Sequence, residues 1–460
     1  MKKVRIWSKG WVIALLSIAA PSAMARNTAS PVPDEQAVPI RRPVLGTPEQ
    51  IAIEQLLTRL LGDPDIAAAR RAMAAELAAT PTGQTTDGAA MLDRAVWQWT
   101  SSNIVGEITS HRAEPAFFWW EDAPHMLAGQ TVWGTGIGSD LPDNIYRRVT
   151  LDGSGQYEIT GRIDLANRPA ILIFEVMRGK IGPTPLNDTI KKNADMGNFV
   201  SSITDRKMTI APDGSFRIML GGPGLSSNYL ATAPGDLTVM VRENLTDWNQ
   251  RPSELHIRRV GGAAPKPPSY DELKKRVLAG LAPYIRFWSN WHVVNMGGFA
   301  PNTYKKPVAR AGGFGYAGKL RFQLGADQAI LLTLSSGNAR YFSVHVSDPW
   351  EITADSRHYQ ISLNPTQARP NSDGTYTYVI GPKDPGVANW VDTAGLHDGY
   401  AILRWQDAPP GFSTDDAVRD FRVVKLSDLA DMPGMIHVSA LQRQLEQAAN
   451  FAAYARRVTE

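Results

Sequence analysis

The spacing of apolar residues near the amino-terminal end is that of helices. Thr47-Pro48-Glu49-Gln50 places a capping threonine before a proline at the first helical position, ahead of an apolar-periodic stretch through Leu61. Asp63-Pro64 has the same character and predicts a second, alanine-rich helix, and a third is expected from Ala89 to Ile108. The pattern therefore predicts a helical region over residues 47–139.

The pattern changes beyond about Asp140. Short β-branched and aromatic runs follow one another, separated by Asp-Gly, Gly-Gly and Pro-Gly turns, which is typical of antiparallel β-structure. A Gly/Pro linker and a helix that opens with the capping-box sequence Ser269–Glu272 and extends to about Trp291 interrupt it. A last helix is expected from about Ser439 to Arg457. We predict an α+β fold, mainly β.

The β-rich part of the chain matches itself. When residues 203–244 are aligned with residues 361–406, Asp213-Gly214 falls on Asp373-Gly374, Asn228-Tyr229 on Asn389-Trp390, and Arg242 on Arg404. A duplicated module of about a hundred residues explains the shared order of features. We therefore expect two tandem β-sandwich-like modules whose strands superpose from Val149 to Val260 and from about Gly318 to Leu426. The predicted divisions are 1–25 signal peptide, 26–46 flexible leader, 47–139 helical region, 140–260 β-module one, 261–311 linker and helix, 312–430 β-module two, and 431–460 C-terminal helix.

The first residues predict export. Four basic residues precede an apolar run from Trp11 to Ala20, and the small-x-small triplet Ala23-Met24-Ala25 follows, which is the pattern of a secretory signal peptide. No later segment is apolar for the roughly 18 residues that a membrane helix needs. The mature chain is expected to begin near Arg26 in a bacterial periplasm, with no transmembrane segment.

Removing the signal peptide changes the charge of the chain. The 460 residues include 48 basic and 45 acidic ones, but the first 25 contain four basic and no acidic residues, so the mature chain has a net charge of −1. Its basic pairs, such as Lys191-Lys192 and Arg258-Arg259, are scattered, which argues against a nucleic-acid partner. The chain has no cysteine, and this excludes disulfides, thiolate metal sites and cysteine nucleophiles.

The second module resembles a known family. Asn389-Trp390-Val391 followed by Arg404 on a strand is similar to the Asn-Trp-Leu and arginine pattern of the bacterial domain of unknown function twelve-fourteen, and Asn228-Tyr229-Leu230 with Arg242 fits it less well. Asp392 and Ala231 stand where that family usually has proline. The resemblance implies a β-sandwich-like fold and life in the cell envelope or outside it. It implies no reaction, because the family is uncharacterised.

Titratable residues that only the second module carries are the candidates for chemistry. The repeated asparagine and arginine have structural roles available to them in both modules, whereas a proton-transfer set needs to exist in one copy only. The candidate catalytic residues are Asp392, His397, His345 and His358. No pair of histidines has the spacing of a known metal motif, and no nucleotide-binding loop is present, so we predict neither a metal nor a cofactor.

A cleft between the modules is the expected place for a ligand. Arg147 and Arg148 are neighbours on a strand, so alternation should point one of them to solvent or to a ligand. The candidate ligand-binding residues are Tyr146, Arg147, Arg404, Trp390, Asn389 and Trp350. The leading hypothesis is a protein that binds, and could also transform, a small apolar or glycan-like molecule. The alternatives are a periplasmic lyase, isomerase or hydrolase that uses Asp392 and His397, or a structural envelope component. The sequence leaves the oligomeric state open.

Overall fold

The computed structural model describes residues 44–110, 112–127, 130–180, 198–224, 226–296, 299–310 and 312–457. The expected signal peptide and most of the expected leader lie outside these residues. The predicted fold class is confirmed, because helices at the two ends and between the modules accompany a larger set of mainly antiparallel sheets. Within the described ranges, no helix is both long and apolar enough to cross a membrane.

Three helices open the described chain, and their starts follow the capping residues in the sequence. They are α1 (Pro48–Leu61), α2 (Pro64–Ala78) and α3 (Thr86–Thr109). The side chains of Thr47, Asp63 and Thr85 each accept a hydrogen bond from a backbone N–H of the first turn. The third helix begins three residues earlier than the predicted Ala89, because Thr85 caps it.

Two further helices occupy the predicted places. Helix α4 (Tyr270–Met296) follows the linker, with Ser269 and Glu272 bonded to each other as a capping box. It packs against α2 and α3. Helix α5 (Ala440–Ala455) has a capping box between Ser439 and Gln442. Helices α1 to α4 share one apolar core with parts of both β-modules.

The first β-region forms two main sheets and a small hairpin. Its strands are β1 (Phe118–Trp120), β2 (His125–Leu127), β3 (Gln130–Val132), β4 (Asn144–Asp152), β5 (Gln156–Arg162), β6 (Ile171–Arg178), β7 (Phe199–Thr204), β8 (Ser215–Leu220), β9 (Tyr229–Leu230), β10 (Asp236–Asn244) and β11 (Glu254–Gly261). One sheet has the order β1-β4-β10-β6-β7, the other has the order β11-β5-β8-β9, and β2 pairs with β3. The apolar residues between the two main sheets form the core of module one.

The second β-region contains two sheets of the same sizes. Its strands are β12 (Thr303–Ala309), β13 (Gly315–Gln323), β14 (Gln328–Leu334), β15 (Tyr341–Ser347), β16 (Ser362–Leu363), β17 (Tyr376–Gly381), β18 (Trp390–Asp392), β19 (Asp398–Gln406) and β20 (Val418–Lys425). The orders are β12-β13-β19-β15-β16 and β18-β17-β14-β20. In both regions the short strand after the Pro-Gly turn pairs in parallel, β9 with β8 and β18 with β17.

Each five-stranded sheet has an inner face toward its own sandwich core and an outer face away from it. Val241 on β10 belongs to the core of module one, and Leu403 on β19 belongs to the core of module two. Because side chains alternate along a strand, Arg242 and Arg404 lie on the outer faces. The helices and the connection between the modules cover these outer faces.

Candidate functional site

Arg242 and Arg404 occupy the same place in their two sheets. Each lies on the central strand of a five-stranded sheet, Arg242 opposite Tyr146 of β4 and Arg404 opposite Ser343 of β15. A central strand is flanked on both sides, so a long side chain there projects from the middle of the outer face. Both guanidinium groups lie near a common neighbour, Arg310, because its positive charge lowers the pKa of each of them.

Arg310 brings a third guanidinium group to this place. It follows β12, and its backbone N–H donates to the carbonyl oxygen of Gly315 at 2.9 Å. Its guanidinium lies 4.9 Å from the ring centroid of Phe314, and the guanidinium of Arg242 lies 5.5 Å from the same centroid. We name Arg242, Arg310 and Arg404 the arginine cluster. Phe314 is its apolar neighbour, and Tyr146 is within electrostatic range of all three members.

The cluster is deep in the protein, and its charges repel one another. Burial, followed by the like charge of Arg310, lowers the pKa of Arg242 and that of Arg404 to about 9. Burial likewise lowers the pKa of Lys319, on the same outer face as Arg404, to about 8. Yet Arg242, Arg310 and Arg404 are only partly buried. The three side chains are therefore surrounded by protein, but each keeps some contact with solvent.

The three guanidinium groups differ in their partners. Arg242 forms an ion pair with Glu175 of β6. Arg404 has neither a hydrogen bond nor an ion pair to any residue in the described part of the chain, and Arg310 has only its contact with the Phe314 ring there. Two of the three cations therefore lack an anionic partner among the described residues. An unpaired charge at such a depth is costly, which makes this arrangement unusual for a purely structural cluster.

The strand register explains why Arg404 has no carboxylate. Arg242 is opposite Ile173, and Glu175 is two residues further along β6, on the same face. Arg404 is opposite Ser343, and the residue two positions further along β15 is His345. Histidine thus stands where module one has its glutamate. Burial, with the charge of Arg404 added, lowers the pKa of His345 to about 3, so its ring is neutral and does not balance Arg404.

His345 also joins the site to the segment that precedes module one. Its Nε2 lies 3.2 Å from the carbonyl oxygen of Ser139, and because a carbonyl only accepts, Nε2 carries the proton. Its Nδ1 is buried and has no hydrogen-bonding partner within the described ranges. Nearby, the hydroxyl of Tyr341 donates to Asp143 at 2.5 Å. The predicted catalytic histidine is therefore a neutral member of this site, with one free acceptor atom.

A pair of buried carboxyl groups lies beside the cluster. Asp122 accepts hydrogen bonds from the backbone N–H groups of Asp140 at 3.1 Å and Thr353 at 3.0 Å. Both carboxyl groups are so close to Gly136 that a Cβ there would meet them at 2.0 and 2.4 Å. Burial and then the charge of Asp122 hold the pKa of Asp140 well above its usual value. The carboxyl group of Asp140 acts on one member of the cluster, because its negative charge raises the pKa of Arg242.

The expectation that Arg147 or Arg148 could point to solvent is wrong, since neither side chain reaches it. Both are buried, because the sheet that contains β4 is covered on both faces. Arg147 lies on the inner face, where Nη2 is 3.6 Å from Glu243. Arg148 lies on the outer face, over the ring of Trp120 at 4.0 Å, and donates to the carbonyl oxygen of Ser102. Of the predicted pair Tyr146 and Arg147, only Tyr146 is on the face of the arginine cluster.

The other predicted ligand residues lie in packed surroundings. The amide of Asn389 donates to the carbonyl oxygens of Arg369 and Thr377 and accepts from the N–H of Arg369, so it closes a loop. Trp390 is buried and donates to the carbonyl oxygen of Gly381 at 3.0 Å. The ring of Trp350 is fully buried against Trp99 of α3. These contacts give each residue a structural role, and they do not join the arginine cluster.

The remaining predicted catalytic residues are not brought together. Asp392 accepts from the N–H of Ala394, and burial raises its pKa to about 6. The Nδ1 of His397 lies 2.9 Å from the carbonyl oxygen of Leu324, and its backbone N–H donates to Asp87. His358 is exposed, 3.9 Å from Asp355. Within the described residues no hydrogen bond or ion pair joins Asp392 to His397, and no group of three or more His, Asp or Glu side chains is arranged to hold a metal ion.

Sequence reasoning identified Tyr146, His345 and Arg404, but missed Arg310, Lys319 and Asp140. Arg310 follows an exposed edge strand and precedes a glycine turn, a context that is typical of a solvated surface residue. The available signal was the alignment of the modules, since Glu175 falls near His345. Histidine at position 345, where module one has glutamate, leaves the aligned arginine without a nearby carboxylate. This difference could have indicated an unpaired charge.

The comparisons with known proteins give the class of fold and one domain. The family described as protein of unknown function (DUF1214) matches residues 320–410, which lie in the second module, so a DUF1214 domain is present there. An uncharacterized protein from Burkholderia cenocepacia of known crystal structure is 23% identical, with 81% of this chain and 99% of that chain covered and a TM-score of 0.62. A protein from Vibrio parahaemolyticus is 15% identical, with 62% and 90% covered and a TM-score of 0.37. A search of curated proteins finds no match. The chain is thus similar in fold to an uncharacterised bacterial protein.

Proposed function

We propose that this protein is an exported binding protein that holds a small molecule between its two β-modules, at the arginine cluster. The proposal keeps the inter-module cleft that the sequence suggested and assigns it to the outer faces of the two five-stranded sheets. Tyr146, Phe314 and Arg404 are the residues that a bound molecule would contact.

The unpaired guanidinium of Arg404 is the observation that carries this proposal. It is deep enough for burial to lower its pKa to about 9, it keeps accessible surface, and no described residue binds it. A cation that is largely removed from water and has no partner destabilises the folded protein. This cost supports a functional role for Arg404, in which a bound ligand is the partner that the described residues do not provide.

Two further parts of the proposal concern the origin and location of the protein. We infer that the modules arose by internal duplication, and the equal strand orders and the matching asparagine hydrogen bonds support this. We infer export to the periplasm from the basic and apolar pattern of residues 1–25. Amino-terminal sequencing of the protein recovered from the periplasm tests the second inference, which predicts a first residue near Arg26.

A thermal-shift screen of the mature chain tests the binding function. The library contains neutral sugars, apolar rings and small organic anions, and the variants are Arg404→Met and Arg321→Met. Arg321 lies on the same outer face but is paired with Asp398 at 3.3 Å, so its replacement is the matched control. We expect at least one compound to raise the Tm of the native chain and of Arg321→Met but not of Arg404→Met. Compounds that stabilise all three chains equally would bind elsewhere and contradict the assignment.

A further inference from the structure

We propose that the ligand of this site is a small dianion, a phosphate or a dicarboxylate, held between Arg404 and Arg310 with the aromatic ring of Phe314 beside it. This inference rests on the proposed binding function and specifies the chemical class of the bound molecule. It concerns the arginine cluster alone.

The charge balance of the site selects an anion. Among the described residues, Arg242 forms an ion pair with Glu175, and the negative charge of Asp140 also acts on Arg242. The ring of His345, beside Arg404, is neutral. Glu351 lies next to Lys319 and offsets the charge of that lysine. Arg310 and Arg404 therefore present two uncompensated positive charges within the described part of the site, which a dianion neutralises and a neutral sugar or hydrocarbon does not.

The geometry suits oxygen-bearing anions in particular. Each guanidinium presents a planar fork of N–H donors that matches the spacing of two carboxylate or phosphate oxygens. Arg310 comes from the turn between β12 and β13, whereas Arg404 comes from the central strand β19, so the two forks approach from separate elements. The free Nδ1 of His345 and the hydroxyl of Tyr146 add polar atoms at the same face.

A structural alternative makes the opposite prediction about stability. If the arginines only hold the modules together, replacing Arg404 would destabilise the ligand-free protein. If instead they bind an anion, replacement by methionine, which matches the aliphatic part of arginine, removes a repulsive charge and leaves the ligand-free protein at least as stable. The Tm in a buffer without phosphate or carboxylate separates the two cases.

Calorimetric titration of the mature chain at constant ionic strength tests the anion class. The probes are inorganic phosphate, succinate, acetate and neutral glucose, and the proteins are the native chain, Arg404→Met, Arg310→Met and the control Arg321→Met. We expect phosphate or succinate to bind about tenfold or more tightly than acetate, with no heat from glucose. Either arginine variant should weaken the dianion about tenfold or more, and Arg321→Met should not.

The outcomes separate this inference from the function on which it rests. Glucose or another neutral compound that binds through Arg404 while every anion fails would overturn the anion class but keep the binding site. If all anions bound weakly and equally to the native chain and to Arg404→Met, the binding would be non-specific and independent of Arg404. This result would overturn the inference. A difference between phosphate and succinate identifies which of the two dianions the site prefers.

Discussion

The two modules keep the same hydrogen bonds around one asparagine and differ in the partner of one arginine. Asn228 and Asn389 each bind the N–H and the carbonyl oxygen of one loop residue and the carbonyl oxygen of a strand residue. Arg242, in contrast, has Glu175 beside it, while Arg404 has His345. The comparison teaches that the asparagine loop is structural in both modules, and that one residue difference on a neighbouring strand leaves Arg404 without a carboxylate partner among the described residues.

The largest difference in stability is expected between alanine variants of the two aromatic residues that follow the asparagines. Trp390 is buried and its ring N–H donates to Gly381, whereas Tyr229 is half-buried. Trp390→Ala should lower the free energy of unfolding by about 3–5 kcal/mol, and Tyr229→Ala by about 1 kcal/mol, because less apolar surface is lost there. Urea unfolding of both variants measures the difference. Equal effects would show that the two loops are packed alike.

Alanine variants of the two asparagines should differ in unfolding free energy, because only Asn389 has a left-handed backbone conformation. Asn389 has a φ of 58°, in the left-handed region, whereas Asn228 does not have a positive φ. Each alanine substitution leaves loop groups without partners, at about 1–3 kcal/mol. Asn389→Ala should cost about 1 kcal/mol more than Asn228→Ala because alanine resists the left-handed conformation.

Glycine variants separate the two contributions to that difference. Asn389→Gly removes the hydrogen bonds but tolerates the positive φ, so it should destabilise less than Asn389→Ala. At position 228 the glycine variant should have no such advantage. If Asn389→Gly and Asn389→Ala unfold at the same urea concentration, backbone strain does not contribute.

His345→Glu should convert module two to the charge arrangement of module one. The new carboxylate would stand where Glu175 stands beside Arg242, and it would compete with a bound dianion for Arg404. We expect the succinate Kd to rise about tenfold, which corresponds to about 1.4 kcal/mol, with ligand-free stability unchanged or higher. His345→Gln is the matched control, since it adds no charge. A control that weakens succinate equally would assign the effect to the shape of the side chain.

The smallest expected effect is the pH dependence of dianion binding. Lys319 has a pKa lowered to about 8 by burial; Glu351 opposes this shift, whereas Arg404, Arg310 and Lys305 add to it. Lys319 is therefore cationic below pH 8 and loses its charge as the pH rises. The affinity for succinate, which stays a dianion above about pH 6.5, should fall severalfold between pH 7 and pH 9. His345 stays neutral across this range because its pKa is about 3.

A control variant assigns that pH dependence. Lys319→Met should flatten the decline between pH 7 and pH 8 and give the weaker affinity there, whereas the further decline toward pH 9 belongs to Arg404, whose pKa is about 9. The same lysine also has a stability signature: its lowered pKa means that the unfolded chain binds the proton more tightly, so the ligand-free protein should gain stability as the pH rises from 8 toward 10. A decline between pH 7 and pH 8 that persists in Lys319→Met would assign the titration in that range to another group.

The sequence by itself determined the helix starts and the turns, because these features depend on contacts between residues close together in the chain. Thr47, Asp63, Ser269 and Ser439 predict helix starts through contacts within a few residues, and those starts are present. The Asp-Gly and Pro-Gly turns likewise predict the succession of short strands. These features depend on neighbours in the chain, so a pattern of residue types is enough to find them.

Only the tertiary structure showed which charged side chains come together at the candidate site. Arg147 and Arg148 are both buried because the sheet that contains β4 is covered on its two faces, which strand alternation alone does not reveal. Arg310 joins Arg404 because the turn after β12 passes the central strand of the sheet. Whether a charge is paired depends on residues brought together from distant parts of the chain, and on the depth at which they meet, neither of which is written in the local sequence.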